Sequence, residues 1–161
     1  MDKLQVITQK IVDATELSRL VNRWRLKDDQ IVFTNGCFDL LHKGHFEYLA
    51  KAANMGDRVV VALNTDRSVK ALKGQDRPIN SQDARALALA SLHLTDAVIL
   101  FDEDTPEELV KLVEPEVLVK GGDWKKEDIV GAQFVESNGG KVEIISLTEG
   151  YSTTSIIEKI G

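Results

Sequence analysis

The sequence has few of the features that mark disulfide-stabilised, membrane-spanning or nucleic-acid-binding proteins. Its one cysteine, Cys37, excludes an internal disulfide and fits a reducing compartment. No apolar run approaches the roughly 20 residues that a transmembrane helix needs, and the polar Met1–Gln5 does not resemble a signal peptide. The net charge of −6 argues against a nucleic-acid-binding surface. We therefore expect a cytoplasmic protein without a nucleic-acid or membrane partner.

The length of 161 residues is most simply that of one domain with a substantial core, since no repeat, low-complexity tract or linker interrupts the chain. Residues 1–28 predict a helical extension packed on this domain. Asp13 or Thr15 is the expected N-cap of its helix, because Leu17, Val21 and Trp24 follow at helical spacing.

Apolar runs and helical patterns alternate along the rest of the chain. Five runs predict strands, at 31–33, 58–63, 97–100, 117–120 and 142–145. Helices are expected between them, including one that Ser81 caps, one that Thr105-Pro106 opens, one at 127–137 and a last one at 156–160. Near-continuous apolar strands are typical of a parallel sheet buried on both faces. The pattern predicts an α/β protein with a Rossmann-like, doubly wound parallel sheet of about five strands.

The stretch from Ile31 to His45 is the main candidate site. A buried strand passes through the Asn35-Gly36 turn into His42-Lys43-Gly44-His45, where a helix begins. Helix N-termini bind anions, and two imidazoles three residues apart could reach one phosphate, with Gly44 allowing close approach. A purely structural histidine pair is one alternative. A metal site of Cys37, His42 and His45 is another, weaker because no fourth ligand is evident.

Polar and basic residues follow the second predicted strand. Asn64 and Asp66 come at its carboxyl end, where ligands gather in open α/β sheets. The segment 68–80 is expected to be a basic, turn-rich connection whose Lys70, Lys73 and Arg77 either contact an anionic substrate or are simply solvated.

Arg85 lies in the first turn of the helix that Ser81 caps, where a cation opposes the helix dipole. A phosphate contact would explain it. An ion pair with Asp83 or Asp39 would explain it equally well.

Two later motifs are also candidates. Lys120-Gly121-Gly122-Asp123 ends the fourth predicted strand and suits either main-chain contacts to a nucleotide or a sharp turn. The hydroxyl-rich Tyr151-Ser152-Thr153-Thr154 precedes the last helix, so that it either cradles a phosphate or only caps the helix.

These motifs together resemble a known family. Thr34-Asn35-Gly36-Cys37-Phe38-Asp39 followed by the histidine motif resembles the signature of the nucleotidylyltransferase superfamily, the cytidylyltransferase-like proteins. With the later motifs the chain is similar to bacterial D-glycero-β-D-manno-heptose 1-phosphate adenylyltransferases, the C-terminal half of bifunctional ADP-heptose synthases, here as a free-standing chain. The resemblance implies transfer of AMP from ATP to the heptose phosphate, giving an ADP-sugar and pyrophosphate for lipopolysaccharide or surface-glycan synthesis.

Two alternatives to this function stay open. One is a cytidylyltransferase acting on glycerol 3-phosphate or a similar phosphate. Glycerol-3-phosphate cytidylyltransferases carry an arginine where this chain has Leu147, which weakens that reading. The other is a non-catalytic nucleotide-binding module, against which the intact histidine pair and hydroxyl-rich turn argue.

The resemblance also implies roles for individual residues. The catalytic residues would be His42, His45 and Lys73. The nucleotide would be bound by Thr34, Asn35, Gly36, Cys37, Phe38, His42, Gly44, His45, Lys120, Gly121, Gly122, Asp123, Tyr151, Ser152, Thr153 and Thr154. The sugar phosphate would be bound by Asp39, Asn64, Asp66, Lys70, Lys73, Arg77 and Arg85. Mg²⁺ is expected with the ATP phosphates and without assigned protein ligands. A homodimer and a functional link to a separate heptose 7-phosphate kinase are the expected partners.

Overall fold

The apolar runs form the five strands of a single parallel sheet in the computed structural model, which describes residues 1–161. The strands are β1 (Ile31–Gly36), β2 (Arg58–Asn64), β3 (Ala97–Phe101), β4 (Val117–Gly121) and β5 (Lys141–Ile145). Their order in the sheet is β3-β2-β1-β4-β5. The predicted Rossmann-like α/β architecture is thereby confirmed, and the strand order reverses between β1 and β4.

Eight α-helices flank the sheet. They are α1 (Lys3–Thr8), α2 (Ala14–Arg25), α3 (Lys43–Ala53), α4 (Asp66–Lys73), α5 (Gln82–Ser91), α6 (Glu107–Val113), α7 (Ala132–Ser137) and α8 (Thr153–Ile160). None of them has both the length and the apolar character needed to cross a bilayer.

The sheet buries both of its faces, which is why its strands are apolar at successive positions. Ile31 and Phe33 of β1 point into one core, which the helices α2 and α6 cover. Val32, between them, points into the opposite core, which α3 and α5 cover. All three side chains are fully buried. Helix α2 begins at its expected cap, since Asp13 forms a capping box with Glu16.

Two local expectations were wrong. The segment 68–80 is not a continuous loop, because its first half continues α4, which Thr65 caps by accepting a hydrogen bond from the Ser68 N–H. The expected helix 127–137 is broken. A 3₁₀ turn at Lys126–Asp128 precedes α7, and Gly131 between them has a φ of +86°, outside the right-handed helical range.

Strands β1 and β4 separate as they approach the carboxyl edge of the sheet. Every residue of β1 pairs with β2, whereas only Val32 and Phe33 pair with β4. Beyond these pairs the Tyr48 hydroxyl of α3 lies in the gap, donating to the Val119 carbonyl at 3.2 Å and lying 2.5 Å from Thr34 Oγ1. Burial raises the pKa of Tyr48 to about 12, although the hydrogen bond with Thr34 opposes this shift. A neutral phenol therefore joins the two strands where their main chains part.

Candidate active site

A cleft of about 700 Å³ opens where β1 and β4 part. It lies at the carboxyl edge of the sheet and at the point where the strand order reverses, the usual ligand position in open α/β sheets. Its walls come from the ends of β1, β2 and β4, the N-termini of α3 and α8, and the end of α4. The motifs singled out from the sequence therefore converge in space.

Hydrogen bonds from the main chain hold both histidine rings at the start of α3. His42 is the N-cap, and its Nδ1 accepts a hydrogen bond from the Gly44 N–H at 3.1 Å. His45 lies one turn further on, and its Nδ1 accepts from the His42 N–H at 3.3 Å. The ring centroids are 3.9 Å apart. Because Nδ1 is an acceptor in both rings, each neutral imidazole carries its proton on Nε2.

Both imidazoles are held in the neutral form. Burial lowers the pKa of His42. Burial, followed by the charge of His42, lowers the pKa of His45 to about 4, against a smaller opposing effect of the Leu40 carbonyl. The Phe38 ring packs against His45 at a centroid distance of 5.3 Å. At neutral pH the pair therefore offers N–H donors rather than positive charges.

Gly44 is required by the histidine geometry. A Cβ at this position would lie 2.9 Å from Cε1 of His42 and 3.4 Å from Cβ of Tyr151. Any side chain would push the His42 ring out of place. The group that approaches Gly44 closely in the structure is thus the neighbouring imidazole of His42.

Asp39 holds the loop after α4 against the site. Its carboxylate accepts from Arg77 Nε at 2.8 Å and from the main-chain N–H groups of Ile79 and Asn80 at 2.8 to 2.9 Å. Burial alone would raise the pKa of Asp39, but the Asn80 and Ile79 N–H groups and Arg77 lower it below its usual range. Since its oxygens already have these partners, Asp39 positions Arg77 at the cleft.

Arg85 lies beneath the cleft and does not line it. It is 2% exposed, and Nη1 donates to the carbonyls of Cys37 and Asn64 at 2.8 Å each. Nε donates to the Asn80 carbonyl at 3.1 Å, and Nη2 pairs with Asp66 at 2.8 Å. The carboxylate partner is thus Asp66 and not the expected Asp83 or Asp39. Arg85 ties the loops after β1 and β2 together and is inaccessible to a substrate.

Cations occupy opposite walls of the cleft. Lys73 is exposed at the end of α4, on the β2 side. Lys120 is half-buried at the end of β4, and its ammonium lies 5.0 Å from the centroid of the Trp124 ring. Burial lowers the pKa of Lys120, which Cys37 opposes. An anion between these walls would meet a positive group on each side.

Helix α8 directs its N-terminus into the cleft beside that of α3. Ser152 is its N-cap and accepts from the Ser155 N–H at 3.0 Å, so this hydroxyl serves the capping role. Thr153 Oγ1 donates to the Leu40 carbonyl at 3.4 Å. Tyr151 lies near His42, with ring centroids 6.4 Å apart. Thr153 and Thr154 both line the cleft next to the free N–H groups of the first turn.

The cleft gathers most of the residues expected from the sequence. Those that line it are Asn35, Gly36, Cys37, Phe38, Asp39, His42, Gly44, His45, Asn64, Lys73, Arg77, Lys120, Gly121, Tyr151, Ser152, Thr153 and Thr154. Those that do not line it are Thr34, Asp66, Lys70, Arg85, Gly122 and Asp123. Thr34 and Arg85 are buried behind the cleft, and Lys70 is exposed outside it.

Sequence reasoning missed the apolar part of the lining. Trp124, Leu72 and Leu147 line the cleft and are exposed, and Tyr48 is buried in its floor. The position of Trp124 directly after Gly121-Gly122-Asp123 was an available signal. Leu72 and Tyr48 depend on which helix face turns toward the cleft, and Leu147 depends on the path of the loop after β5, neither of which local spacing specifies.

The residues do not assemble a metal centre. No group of three or more His, Cys, Asp or Glu side chains is placed so that it could hold a metal ion. Cys37 Sγ instead contacts Asn64 Oδ1 at 3.8 Å, and both histidine Nδ1 atoms accept main-chain hydrogen bonds. The alternative metal site of Cys37, His42 and His45 therefore has no support in the geometry.

Known proteins are similar to this chain in sequence. The chain matches the family model described as Cytidylyltransferase-like over residues 33–159. It is 52% identical over 158 residues to the bifunctional protein HldE of Koribacter versatilis, covering 98% of this chain and 32% of that protein. It is 49% identical over 150 residues to the bifunctional protein HldE of Gluconobacter oxydans, covering 93% and 31%. The chain thus spans about a third of the length of these curated relatives.

Two solved structures have the same fold. A lipopolysaccharide core biosynthesis protein from Thermoplasma volcanium is 28% identical with a TM-score of 0.60, covering 77% of this chain and 99% of that one. A pantoate-beta-alanine ligase from Francisella tularensis, solved with a β,γ-ATP ligand and β-alanine, is 17% identical with a TM-score of 0.61. That alignment covers 91% of this chain and 75% of the ligase, and at this identity it bears on the fold alone.

Proposed function

Because the chain belongs to the cytidylyltransferase-like family, we propose that it transfers AMP from ATP to a sugar 1-phosphate, giving an ADP-sugar and pyrophosphate. The nucleotidyltransferase class expected from the sequence is confirmed by the family and the relatives. The proposed acceptor is D-glycero-β-D-manno-heptose 1-phosphate, for lipopolysaccharide or surface-glycan synthesis. Identities near 50% to HldE proteins support this branch of the family.

The observation that carries the proposal is the pair of neutral imidazoles between two helix N-termini. His42 and His45 have their Nδ1 atoms engaged by the main chain, so the tautomer that donates from Nε2 is fixed before a ligand arrives. Donors fixed in advance stabilise charge that develops in a transition state without a reorganisation cost. This arrangement suits a reaction in which a pyrophosphate leaves with its negative charge.

The proposed reaction needs no general base. A sugar phosphate is largely a dianion at neutral pH, because the second pKa of a phosphate monoester is near 6. One of its oxygens forms a bond to the α-phosphorus of ATP. The bond from that phosphorus to the oxygen that bridges the α- and β-phosphates breaks, and pyrophosphate leaves. No proton has to move. What the protein supplies is alignment and stabilisation of charge on the non-bridging and leaving oxygens.

The walls of the cleft divide these tasks. His42 and His45 donate to the leaving phosphates, and the N-terminus of α8 binds the outer phosphates. Lys73, with Arg77 held by Asp39, binds the acceptor phosphate on the β2 side. The exposed Leu147 stands where an arginine would be expected in a glycerol-3-phosphate cytidylyltransferase, which favours the sugar-phosphate acceptor.

Mg²⁺ is proposed to bind together with the nucleotide and not at a permanent site on the protein. The triphosphate oxygens of a nucleotide are hard ligands of the kind that Mg²⁺ prefers. When bound, Mg²⁺ would neutralise phosphate charge. A homodimer and a functional link to a separate heptose 7-phosphate kinase remain predictions.

Pyrophosphate release measured over a matrix of substrates tests the proposal. ATP and CTP are each combined with heptose 1-phosphate and glycerol 3-phosphate, at saturating Mg²⁺. We expect turnover with ATP and heptose 1-phosphate to exceed every other combination. Faster turnover with CTP would refute the adenylyl assignment, and preference for glycerol 3-phosphate would refute the sugar assignment.

A further inference from the structure

The cleft is chemically uneven from one side of the β1–β4 gap to the other. On the β2 side the lining is polar and cationic, with Asn64, Lys73 and Arg77. On the β4 and β5 side it carries large apolar surfaces, those of Trp124 and Leu147. Leu72 on the β2 side and Lys120 on the β4 side cross this division, but the exposed indole of Trp124 offers a flat apolar surface on the β4 side.

Trp124 has the geometry of a stacking platform. It is 46% exposed although it lines the cleft, so its indole is available to a ligand. The Lys120 ammonium lies over the ring at 5.0 Å from its centroid, which restrains its orientation. A Cβ at Gly122 would lie 3.6 Å from the indole Cδ1 and 3.8 Å from Leu147 Cδ1. Trp124 and Leu147, which is 66% exposed, therefore both lie close to Gly122, and we call the exposed surface between these two side chains the slot.

We propose that Trp124 is the base-selecting residue of the enzyme, with its indole stacked on the purine of the nucleotide in the slot beside Leu147. The triphosphate then runs from this slot toward the histidine pair, and the cationic β2 side is left for the acceptor. A purine offers more stacking area than a pyrimidine, so the slot favours ATP over CTP without a base-specific hydrogen bond. This inference rests on the proposed function, whose acceptor it leaves open.

Tryptophan fluorescence reports on the slot directly. The chain has two tryptophans, and Trp24 is buried on α2, away from the cleft. We expect ATP to quench the emission of the wild-type protein, CTP to quench it less, and tripolyphosphate, which lacks a base, to leave it nearly unchanged. In Trp124→Phe the ATP-dependent change should disappear. Quenching by heptose 1-phosphate alone, or equal quenching by ATP and tripolyphosphate, would overturn the proposal.

Kinetics of Trp124→Phe and Trp124→Ala provide the second readout. Since the side chain is on an exposed turn, both variants should fold, which circular dichroism checks. We expect KM for ATP to rise on the order of tenfold in Trp124→Ala and less in Trp124→Phe, with little change in kcat or in KM for the sugar phosphate. An unchanged KM for ATP would refute the stacking role. ATP quenching without pyrophosphate release from any acceptor would instead refute the proposed function and leave the slot assignment standing.

Discussion

Replacing His45 by alanine separates catalysis by the histidine pair from ground-state binding and from folding. The substitution removes an Nε2–H donor and also the Nδ1 that accepts the His42 N–H at 3.3 Å. Loss of one fixed donor to a developing oxyanion typically costs about 3 to 4 kcal/mol, or on the order of 10² to 10³ in kcat. Loss of the capping interaction costs about 1 kcal/mol of stability, which shifts Tm by roughly 2–4 °C in a chain of this size.

Steady-state pyrophosphate release gives kcat and KM, and thermal unfolding gives the stability cost. Asp13→Ala is the matched control, since Asp13 Oδ1 accepts the Glu16 N–H at 2.8 Å at the start of α2, outside the cleft. Its Tm should fall by a similar amount with kcat unchanged. His42→Ala should behave like His45→Ala. If a folded His45→Ala protein retains full kcat at saturating ATP and shows only a raised KM, the imidazole binds the ground state and the transition-state argument is wrong.

Three further predictions concern the basic loop, pH and the Asp39 contact. Lys73→Ala should raise KM for the sugar phosphate or lower kcat without changing Tm, because Lys73 is exposed and lines the cleft; unchanged kinetics would mean that this lysine is only solvated. Because the pKa of folded His45 is about 4, against an ordinary value of 6.5, the unfolded chain takes up a proton that the folded chain does not. The contribution of His45 to the free energy of unfolding should therefore be complete above pH 6.5 and fall as pH drops toward 4. Denaturant titrations should show a shallower loss in His45→Gln than in the wild-type protein, and equal slopes in the two proteins would contradict the low pKa of His45. Asp39→Asn should cost about 3 kcal/mol of stability and weaken sugar-phosphate binding, because it breaks a buried ion pair with Arg77; Arg77→Gln with unchanged sugar-phosphate KM would show that the pair is purely structural.

The sequence predicts this fold well because its strands are buried on both faces. Apolar runs such as Arg58–Leu63 are hard to place anywhere but in a parallel sheet, and the turn motifs between them specify where helices start. Helix α4 was missed because it is short and mostly polar, with Val69 as its buried apolar side chain. Its cap, Thr65, follows a buried strand directly, so that the local sequence does not separate the end of the strand from the start of the helix.

The candidate site is predictable where the residues that carry the chemistry are neighbours in the sequence, as in the histidine motif. It is not predictable where a role depends on contacts distant in sequence. The sequence predicts Arg85 and Asp39 as substrate ligands, but their hydrogen-bond partners come from other loops. The residues next to each of them in the sequence do not indicate these partners. Charge alone does not distinguish an arginine that meets a ligand from one that holds the walls together.

The parting of β1 and β4 leaves few main-chain contacts between two parts of the sheet at its carboxyl edge. One part carries β3, β2 and β1, the other carries β4 and β5, and two residue pairs plus the Tyr48 hydroxyl bridge them at the level of the sheet. A nucleotide bound between β1 and β4 would contact both parts of the sheet and add reversible contacts between them. Ligand binding would then raise the midpoint of unfolding, and release of product would remove this added stability.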